Sequence, residues 1–197
     1  MSTTVSNSVM TAEELLLLPT GMGKRYELIN GELRTMSPAG YEHGGIAMDL
    51  GYLIRHYVGQ HKLGRVVAAE TGFIVRRNPD TVRAPDTGFL SNQRLQQFGR
   101  PKRGYYPCAP DLVVEVLSPD DRQDDIDEKI EDWFAGGANL VWIVNPRRKT
   151  VTVYRSLQDI RILTEHDSLD GETVLPGFAC PPVGSLFGRM TAASRML

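Results

Sequence analysis

Three acidic residues lie in stretches of sequence that are otherwise apolar. Glu115 is the one polar residue of the run 112–117, and Asp86 and Glu70 stand in two similar stretches upstream. Burying an ionised carboxylate costs several kcal/mol unless a cation, a metal ion or an open cleft compensates it. The pattern therefore predicts that the three acids share one metal-binding cleft at an edge of the central sheet. The alternative is that arginines or backbone donors satisfy each acid separately.

The stretches that hold these acids are predicted strands, because their apolar, β-branched composition is typical of strands buried on both faces. The predicted elements are, in order, a capped helix at 11–19, a hairpin around Asn30-Gly31, a helix at 46–64, strands at 65–76, 82–90 and 111–117, a helix within 120–136, a strand at 140–144, and antiparallel strands at 150–154 and 160–164. No element is predicted at 91–110 or from Pro176 onward. This order predicts an α/β sandwich built on a mixed sheet.

The composition is that of an ordinary globular protein. Of the 197 residues, 41% are hydrophobic and 23% are charged, and we predict a single domain at 11–190 after a flexible arm at 1–10. No apolar run approaches the roughly 18 residues that span a bilayer, so no membrane contact is expected. Cys108 and Cys180 form neither a ligand spacing nor a disulfide framework, and a reducing cytoplasm is the expected location. Because the net charge is −2, contacts with phosphates must come from local patches.

Four pieces of the sequence carry a resemblance to a known family. They are 26–33, 84–86, 110–119 and 141–146. In this order they resemble the Uma-type branch of the PD-(D/E)xK nuclease superfamily, a branch described as restriction endonucleases. The resemblance covers about residues 12–165. It implies a restriction-endonuclease-like sandwich: a mixed central sheet with an αβββαβ core, an N-terminal hairpin and C-terminal antiparallel strands.

The resemblance also implies the residues of a catalytic site. Asp86 matches the metal-binding Asp of the second core strand, and Glu115 matches the acidic residue of the (D/E)xK element on the third. The Lys of that element should stand at 117, where this sequence has Leu117. Lys129, on the following helix, is the candidate replacement. At about 100° per residue it lies roughly 85° from the centre of the helix's apolar stripe, so its ammonium group can reach the seam between helix and sheet.

These residues would serve the metal-dependent hydrolysis of a phosphodiester bond. Mg²⁺, or Mn²⁺ in its place, takes oxygen ligands, activates water and stabilises charge on the phosphate. Asp86 and Glu115 would be side-chain ligands, and the resemblance implies the backbone carbonyl of Val116 as a third. Glu70 would ligate through water or hold a second ion, or else form a salt bridge with Lys129 or Arg83. Lys129 would orient the attacking water or stabilise the transition state.

Other residues are open to two interpretations. His43, where the first long helix opens, lies either near the metal or at an ordinary surface position, and Glu27 belongs either to the site or to a structural ion pair. One cluster is either a phosphate contact with stacking aromatic rings or a solvated loop. It consists of Arg94, Arg100, Lys102, Arg103, Tyr105 and Tyr106. The basic turn at 147–149 is expected to be exposed to water.

The sequence predicts an endodeoxyribonuclease that acts on DNA. A homodimer is a compatible assembly, because cutting two strands needs two sites. The Leu at 117 and the acidic net charge favour an alternative from another class, a catalytically silent nuclease fold that binds nucleic acid or protein. A third interpretation, a hydrolase of small phosphate esters, agrees with the lack of a broad basic face.

Overall fold

The computed structural model of the chain describes residues 9–19 and 25–188. The arm predicted at 1–10 lies outside this part, except for its last two residues. The described helices are α1 (Ala12–Leu16), α2 (Tyr41–His61), α3 (Asn92–Phe98) and α4 (Gln123–Ala135), with a 3₁₀ helix at Val183–Leu186. The described strands are β1 (Arg25–Ile29), β2 (Glu32–Met36), β3 (Gly64–Ala68), β4 (Phe73–Arg76), β5 (Thr81–Arg83), β6 (Thr87–Ser91), β7 (Leu112–Val116), β8 (Leu140–Asn145), β9 (Thr150–Tyr154), β10 (Ile160–Leu163), β11 (Ser168–Asp170) and β12 (Ala179–Pro182).

A six-stranded mixed sheet forms the centre of the molecule, in the order β10-β9-β8-β7-β6-β3. Strands β7 and β8 are parallel, and the other neighbouring pairs are antiparallel. A second sheet has the order β2-β1-β5-β4, and β11 pairs with β12. Elements α2, β3, β6, β7, α4 and β8 form the αβββαβ core that the resemblance implied. The N-terminal hairpin and the C-terminal antiparallel strands are confirmed as well.

Helices α2 and α4 cover opposite faces of the six-stranded sheet. Successive side chains of a strand point to opposite faces, and β7 shows the consequence. Val114 and Val116 pack in one cluster with α2, whereas Val113 packs with Trp133 of α4 in another. By the same alternation Glu115 faces the side of Val113. The strand therefore directs this acid toward α4.

Two of the predicted strands are each divided in the structure. The segment 65–76 forms β3 and β4, and the segment 82–90 forms β5 and β6. In both cases the chain leaves one sheet for the other, because β3 and β6 belong to the central sheet and β4 and β5 to the second. At the second break stands Pro85, which has no N–H to donate to a strand ladder. The break leaves Asp86 directly before β6.

Other predicted boundaries differ in smaller ways. The hairpin turn is confirmed: Asn30 and Gly31 have φ of 51° and 79°, as a two-residue hairpin loop requires. Helix α2 begins at Tyr41, before the predicted start at 46, and helix α3 was not predicted. Helix α3 buries one residue, Leu95, so its sequence carries almost no periodicity. Strands β11 and β12 also lie where no element was expected. No helix within the described ranges is long and apolar enough to cross a membrane.

Candidate active site

Glu115 is the buried centre of the candidate site. Its side chain is 7% exposed, and both of its carboxylate oxygens accept hydrogen bonds from α4. Trp133 Nε1–H donates to Oε1 at 2.9 Å, and Lys129 Nζ donates to Oε2 at 3.3 Å. Positions 129 and 133 are one helical turn apart and therefore share one face of the helix. One face of α4 thus fixes the orientation of the Glu115 carboxylate.

Lys129 extends its ammonium group into the cleft, in the direction that its position on the helix predicted. Its side chain is 22% exposed, so the group retains some access to solvent. Burial alone would lower the pKa of Lys129, but the carboxylates of Glu115, Glu27 and Asp86 together raise it above its usual range. Lys129 is therefore a cation at neutral pH.

Asp86 lies beside Glu115 across the β6–β7 ladder, since Thr87 pairs with Val114. Its Oδ2 accepts a hydrogen bond from the backbone N–H of Val116 at 2.8 Å. The same oxygen lies 3.1 Å from Nε2 of His43. No hydrogen bond from the described residues reaches its other oxygen, Oδ1. Asp86 therefore has one oxygen held by the protein and one available for a ligand.

His43 lies in the first turn of α2 and contributes to the site through Asp86. The contact to Asp86 raises the pKa of His43 against the opposing effect of burial. Its Nδ1 is buried and has no hydrogen-bond partner in the described part of the chain. The geometry thus favours the interpretation of His43 as a residue of the site over that of an ordinary surface histidine.

The electrostatics of the site oppose a second negative charge beside Asp86. The pKa of Glu115 is raised from 4.5 to about 7, chiefly by burial, and the neighbouring charges of Asp86 and Glu27 contribute to this increase. The cation of Lys129 and the hydrogen bond from Trp133 act in the opposite direction. A divalent cation near both acids would remove this repulsion, because it favours the ionised form of each carboxyl.

Glu70 does not lie on a strand, and this part of the sequence interpretation is wrong. It is exposed in the turn between β3 and β4, with φ of 74°. The salt bridges that it was expected to form are taken by other acids: Lys129 pairs with Glu115, and Arg83 pairs with Glu27. The turn does follow Ala68, which pairs with Thr87, so Glu70 lies at the same end of the sheet as Asp86.

Arg83 connects three elements that surround the site, and its side chain is 3% exposed. It contacts Glu27 Oε2 at 3.1 Å and Asp132 Oδ2 through Nε at 2.8 Å, and it lies 3.3 Å from Glu128 Oε2. Glu27 is thus in a structural ion pair, one of the two interpretations given above. Glu128 and Asp132 of α4 contact Arg83, and the neighbouring residues Lys129 and Trp133 contact Glu115. The two rows of contacts set the rotation of α4 about its axis.

The basic and aromatic cluster near residue 100 separates into two parts. Arg94 is structural, because its guanidinium binds Asp111 Oδ1 at 2.9 Å and the carbonyl oxygen of Gly137 at 2.7 Å. Tyr106 is buried, and its hydroxyl donates to the backbone carbonyl of Arg94. The cations at 100, 102 and 103 are exposed. The interpretation as one phosphate-binding cluster is therefore wrong for Arg94 and Tyr106.

The donors at the site fit a hard divalent cation. Asp86 and Glu115 supply neighbouring carboxylate oxygens, and Mg²⁺ is commonly held by one or two carboxylates while it keeps several waters. Among the described residues, no group of three or more His, Cys, Asp or Glu side chains is arranged to hold a metal ion. The third acid, Glu70, is in the exposed turn. Two side-chain ligands are therefore what this cleft offers, with water and backbone oxygen completing the shell.

Two contributors to the site were missed from the sequence. They are Trp133 and Asp132, and neither is among the candidate residues that the sequence indicated. The first had a signal, because a buried indole N–H requires an acceptor and Trp133 stands four residues after the candidate lysine. Asp132 had none: its partner Arg83 lies 49 residues earlier in the chain.

Comparison with known proteins places these observations in a family. The Uma2 family, described as "Putative restriction endonuclease", matches residues 12–183. A solved structure, a "putative nuclease belonging to DUF820" from Anabaena variabilis ATCC 29413, is similar with a TM-score of 0.74 and 24% sequence identity. The match covers 90% of this chain and 97% of the other. No curated protein matches the sequence. At this identity the solved structure supports the fold alone.

Proposed function

The chain belongs to the Uma2 family, and from this premise we propose that it is a metal-dependent endonuclease that hydrolyses phosphodiester bonds of DNA. The observation that carries the proposal is the arrangement around Glu115, which receives Lys129 and Trp133 on its two oxygens. A buried strand carboxylate, a second acid beside it and a cation aimed at them form the set that phosphodiester hydrolysis needs. If the Lys129–Glu115 ion pair had only a structural role, it would not need Asp86 beside it with one carboxylate oxygen left unbonded by the described residues.

Asp86 and Glu115 would hold Mg²⁺ or Mn²⁺ through carboxylate oxygens, with the backbone carbonyl of Val116 as a further ligand. Glu70 would take part only through water, because its side chain is exposed in its turn. The bound cation would activate water and neutralise charge on the phosphate. His43 and the N–H of Val116 hold Oδ2 of Asp86, which would leave Oδ1 to bind the metal. Such supporting contacts orient ligands and tune metal affinity.

Lys129 would act as a fixed positive charge rather than as a base. Because its pKa is raised by the surrounding carboxylates, it keeps its proton at neutral pH. A positioned ammonium group can donate a hydrogen bond to a phosphate oxygen and stabilise the charge that develops in the transition state. Its contact with Glu115 at 3.3 Å keeps it beside the acid, and its side chain, which is 22% exposed, retains access to solvent. In this proposal α4 would supply the lysine that is absent from position 117.

A metal titration by calorimetry tests the proposal. Wild type is expected to bind Mn²⁺ or Mg²⁺ with measurable heat, and Asp86→Ala is expected to lose that binding. Asp111→Asn provides a control, because Asp111 is a buried acid that is bound to Arg94 and Asn139 and contacts no residue of the site. Equal heats in wild type and Asp86→Ala, or none in either, would refute a metal site at Asp86.

The second candidate function is a catalytically silent nuclease fold that binds nucleic acid or protein. The observation that favours it is that the described residues offer two side-chain ligands for a metal and no assembled group of three. This alternative predicts DNA or protein binding that is independent of divalent metal. The calorimetric titration separates the two functions, because the silent module gives no metal-binding heat.

A further inference from the structure

The turn between β8 and β9 carries three consecutive cations, Arg147, Arg148 and Lys149. All three are exposed. Among the described ion pairs, none joins an acidic side chain to any of them. The backbone of the turn is well defined: the N–H of Arg148 donates to Asn145 Oδ1 at 3.0 Å, and Asn145 pairs with Thr150 across the ladder. The turn therefore holds three uncompensated positive charges in a fixed place.

That place is the end of the sheet that carries the candidate active site. Strands β7 and β8 are parallel, with Glu115 opposite Ile143 and Val116 opposite Val144. Both strands therefore end at the same edge, and the chain leaves β8 into the basic turn from that edge. Arg147 stands three residues beyond Val144, and because β8 ends at Asn145 and a turn follows, this separation is at most about 10 Å at roughly 3.3 Å per extended residue. The cations thus lie beside the mouth of the site.

The chain that follows β7 is acidic. It has five exposed aspartates before and within the first part of α4, at 120, 121, 124, 125 and 127, of which Asp125 is paired with Arg34. They repel a polyanion, whereas the β8–β9 turn attracts one. The field around the mouth is therefore asymmetric. A phosphate chain that reaches the site is directed across the β8–β9 side.

We propose that the β8–β9 turn binds the phosphate backbone of DNA beside the bond that is cut, an inference that rests on the proposed nuclease function. A DNA strand advances about 3.4 Å per nucleotide, so a contact within roughly 10 Å of the site would lie within about three nucleotides of the cleaved phosphate. Arginine and lysine at a turn contact phosphates without reading bases, so the contact positions the substrate and carries no sequence information.

A second exposed basic group provides a matched comparison. Arg100, Lys102 and Arg103 have the same number of charges and the same exposure. Arg100 and Arg103 line a separate cleft of about 580 Å³ together with Leu16 and Ile74, and that cleft contains no residue of the candidate active site. Replacing either trio with glutamine lowers the net charge of the protein by the same amount. Any difference in DNA binding between the two variants therefore reflects where the charges lie and not how many were removed.

The test is fluorescence anisotropy with a short labelled DNA duplex in the presence of chelator, so that binding is measured apart from metal and cleavage. Salt is varied from about 50 to about 200 mM. For R147Q/R148Q/K149Q we expect weaker binding. The negative slope of log K against log salt should become shallower, by about 0.9 for each phosphate that the turn no longer neutralises. For R100Q/K102Q/R103Q we expect affinity and slope close to wild type.

Three results would overturn the inference: no DNA binding by wild type, equal binding by wild type and R147Q/R148Q/K149Q, or equally weakened binding in both triple variants. A parallel cleavage assay distinguishes a failure of the inference about the turn from a failure of the proposed nuclease function. Cleavage by wild type together with unchanged binding by the turn variant would retain the nuclease and reject the turn. Selectively weakened binding in a protein that never cleaves would retain the turn as a DNA-binding element and reject the nuclease.

Discussion

At the scale of single residues, the most informative feature is that the lysine in contact with Glu115 comes from a helix and not from the strand. Position 117 holds a leucine, and the ammonium group that meets Glu115 comes from Lys129, 14 residues away in the chain. The helix thus supplies the charge that the resemblance expected two residues after Glu115. The consequence is that α4, rather than β7, decides where the cation of the site lies.

We predict that Lys129→Met abolishes cleavage of DNA and leaves metal binding largely intact. Methionine retains an unbranched stem that can pack along the seam, and it removes the charge that would stabilise the transition state. Cleavage rates and calorimetric metal binding are measured on the same preparation. Lys62→Met, at the exposed C-cap of α2, is the control and should cleave as wild type does. Normal cleavage by Lys129→Met would show that the displaced lysine has no catalytic role.

The raised pKa of Glu115 predicts an unusual pH dependence of stability in the metal-free protein. Its pKa increases from 4.5 to about 7 on folding, chiefly through burial, so the folded state favours the protonated form. The contribution is therefore most favourable below about 4.5 and is lost as pH rises to about 7. We expect the free energy of unfolding, from urea titrations, to fall over this window in wild type.

Glu115→Gln should remove this pH-dependent loss, because glutamine does not titrate. Added Mn²⁺ should restore the stability of wild type at neutral pH by mass action, by about 2.7 kcal/mol at a hundredfold excess over its dissociation constant. If the free energy of unfolding falls equally with rising pH in wild type and in Glu115→Gln, other titrating groups cause the effect.

At the scale of elements, the site depends on how α4 is held against the two sheets. Arg83 of β5 binds Asp132, which is 2% exposed, and also binds Glu27 of β1. The contacts reach across both hairpins of the second sheet and fix the face that carries Lys129. The second sheet thus supports the site without supplying a ligand to it.

We predict that Arg83→Met destabilises the protein by about 3–5 kcal/mol, because it leaves the buried carboxylate of Glu27 without its cation and leaves Asp132 with the more exposed Arg76 alone. Arg76→Met is the control. Arg76 binds the same Asp132 at 3.0 Å, yet its side chain is 40% exposed, and such a pair contributes about 0–1 kcal/mol. Unfolding in urea measures both. Losses of similar size in the two variants would mean that burial does not distinguish these ion pairs.

Sequence patterns predicted the elements where local chemistry decides them. Asn30-Gly31 specifies the hairpin turn, and the capping box of Thr11 with Glu14 specifies the start of α1. They failed where distant contacts decide. The run 65–76 has the composition of one strand, but its two halves belong to different sheets. Glu70 was placed on a strand for this reason, and the exposed turn that it occupies follows from tertiary pairing alone.

At the scale of the whole molecule, the central sheet separates two apolar cores, and the candidate site lies where β6 begins and β7 ends. The α2 side contains the larger apolar cluster, and the α4 side contains Trp133 and the polar contacts of the site. The αβββαβ order followed from the sequence, because the order of helical and strand patterns along the chain indicates it. The contact of His43 with Asp86 did not, since it depends on how α2 crosses the end of the sheet.

The most direct test is incubation of the purified protein with supercoiled plasmid DNA and Mn²⁺, followed by electrophoresis. Wild type should convert the plasmid to nicked or linear forms, and chelator should stop the conversion. Glu115→Gln should be inactive, whereas Asp111→Asn, which alters a buried acid bound to Arg94, should remain active if it folds. No conversion by wild type, or conversion by Glu115→Gln at the same rate, would contradict a nuclease centred on Glu115.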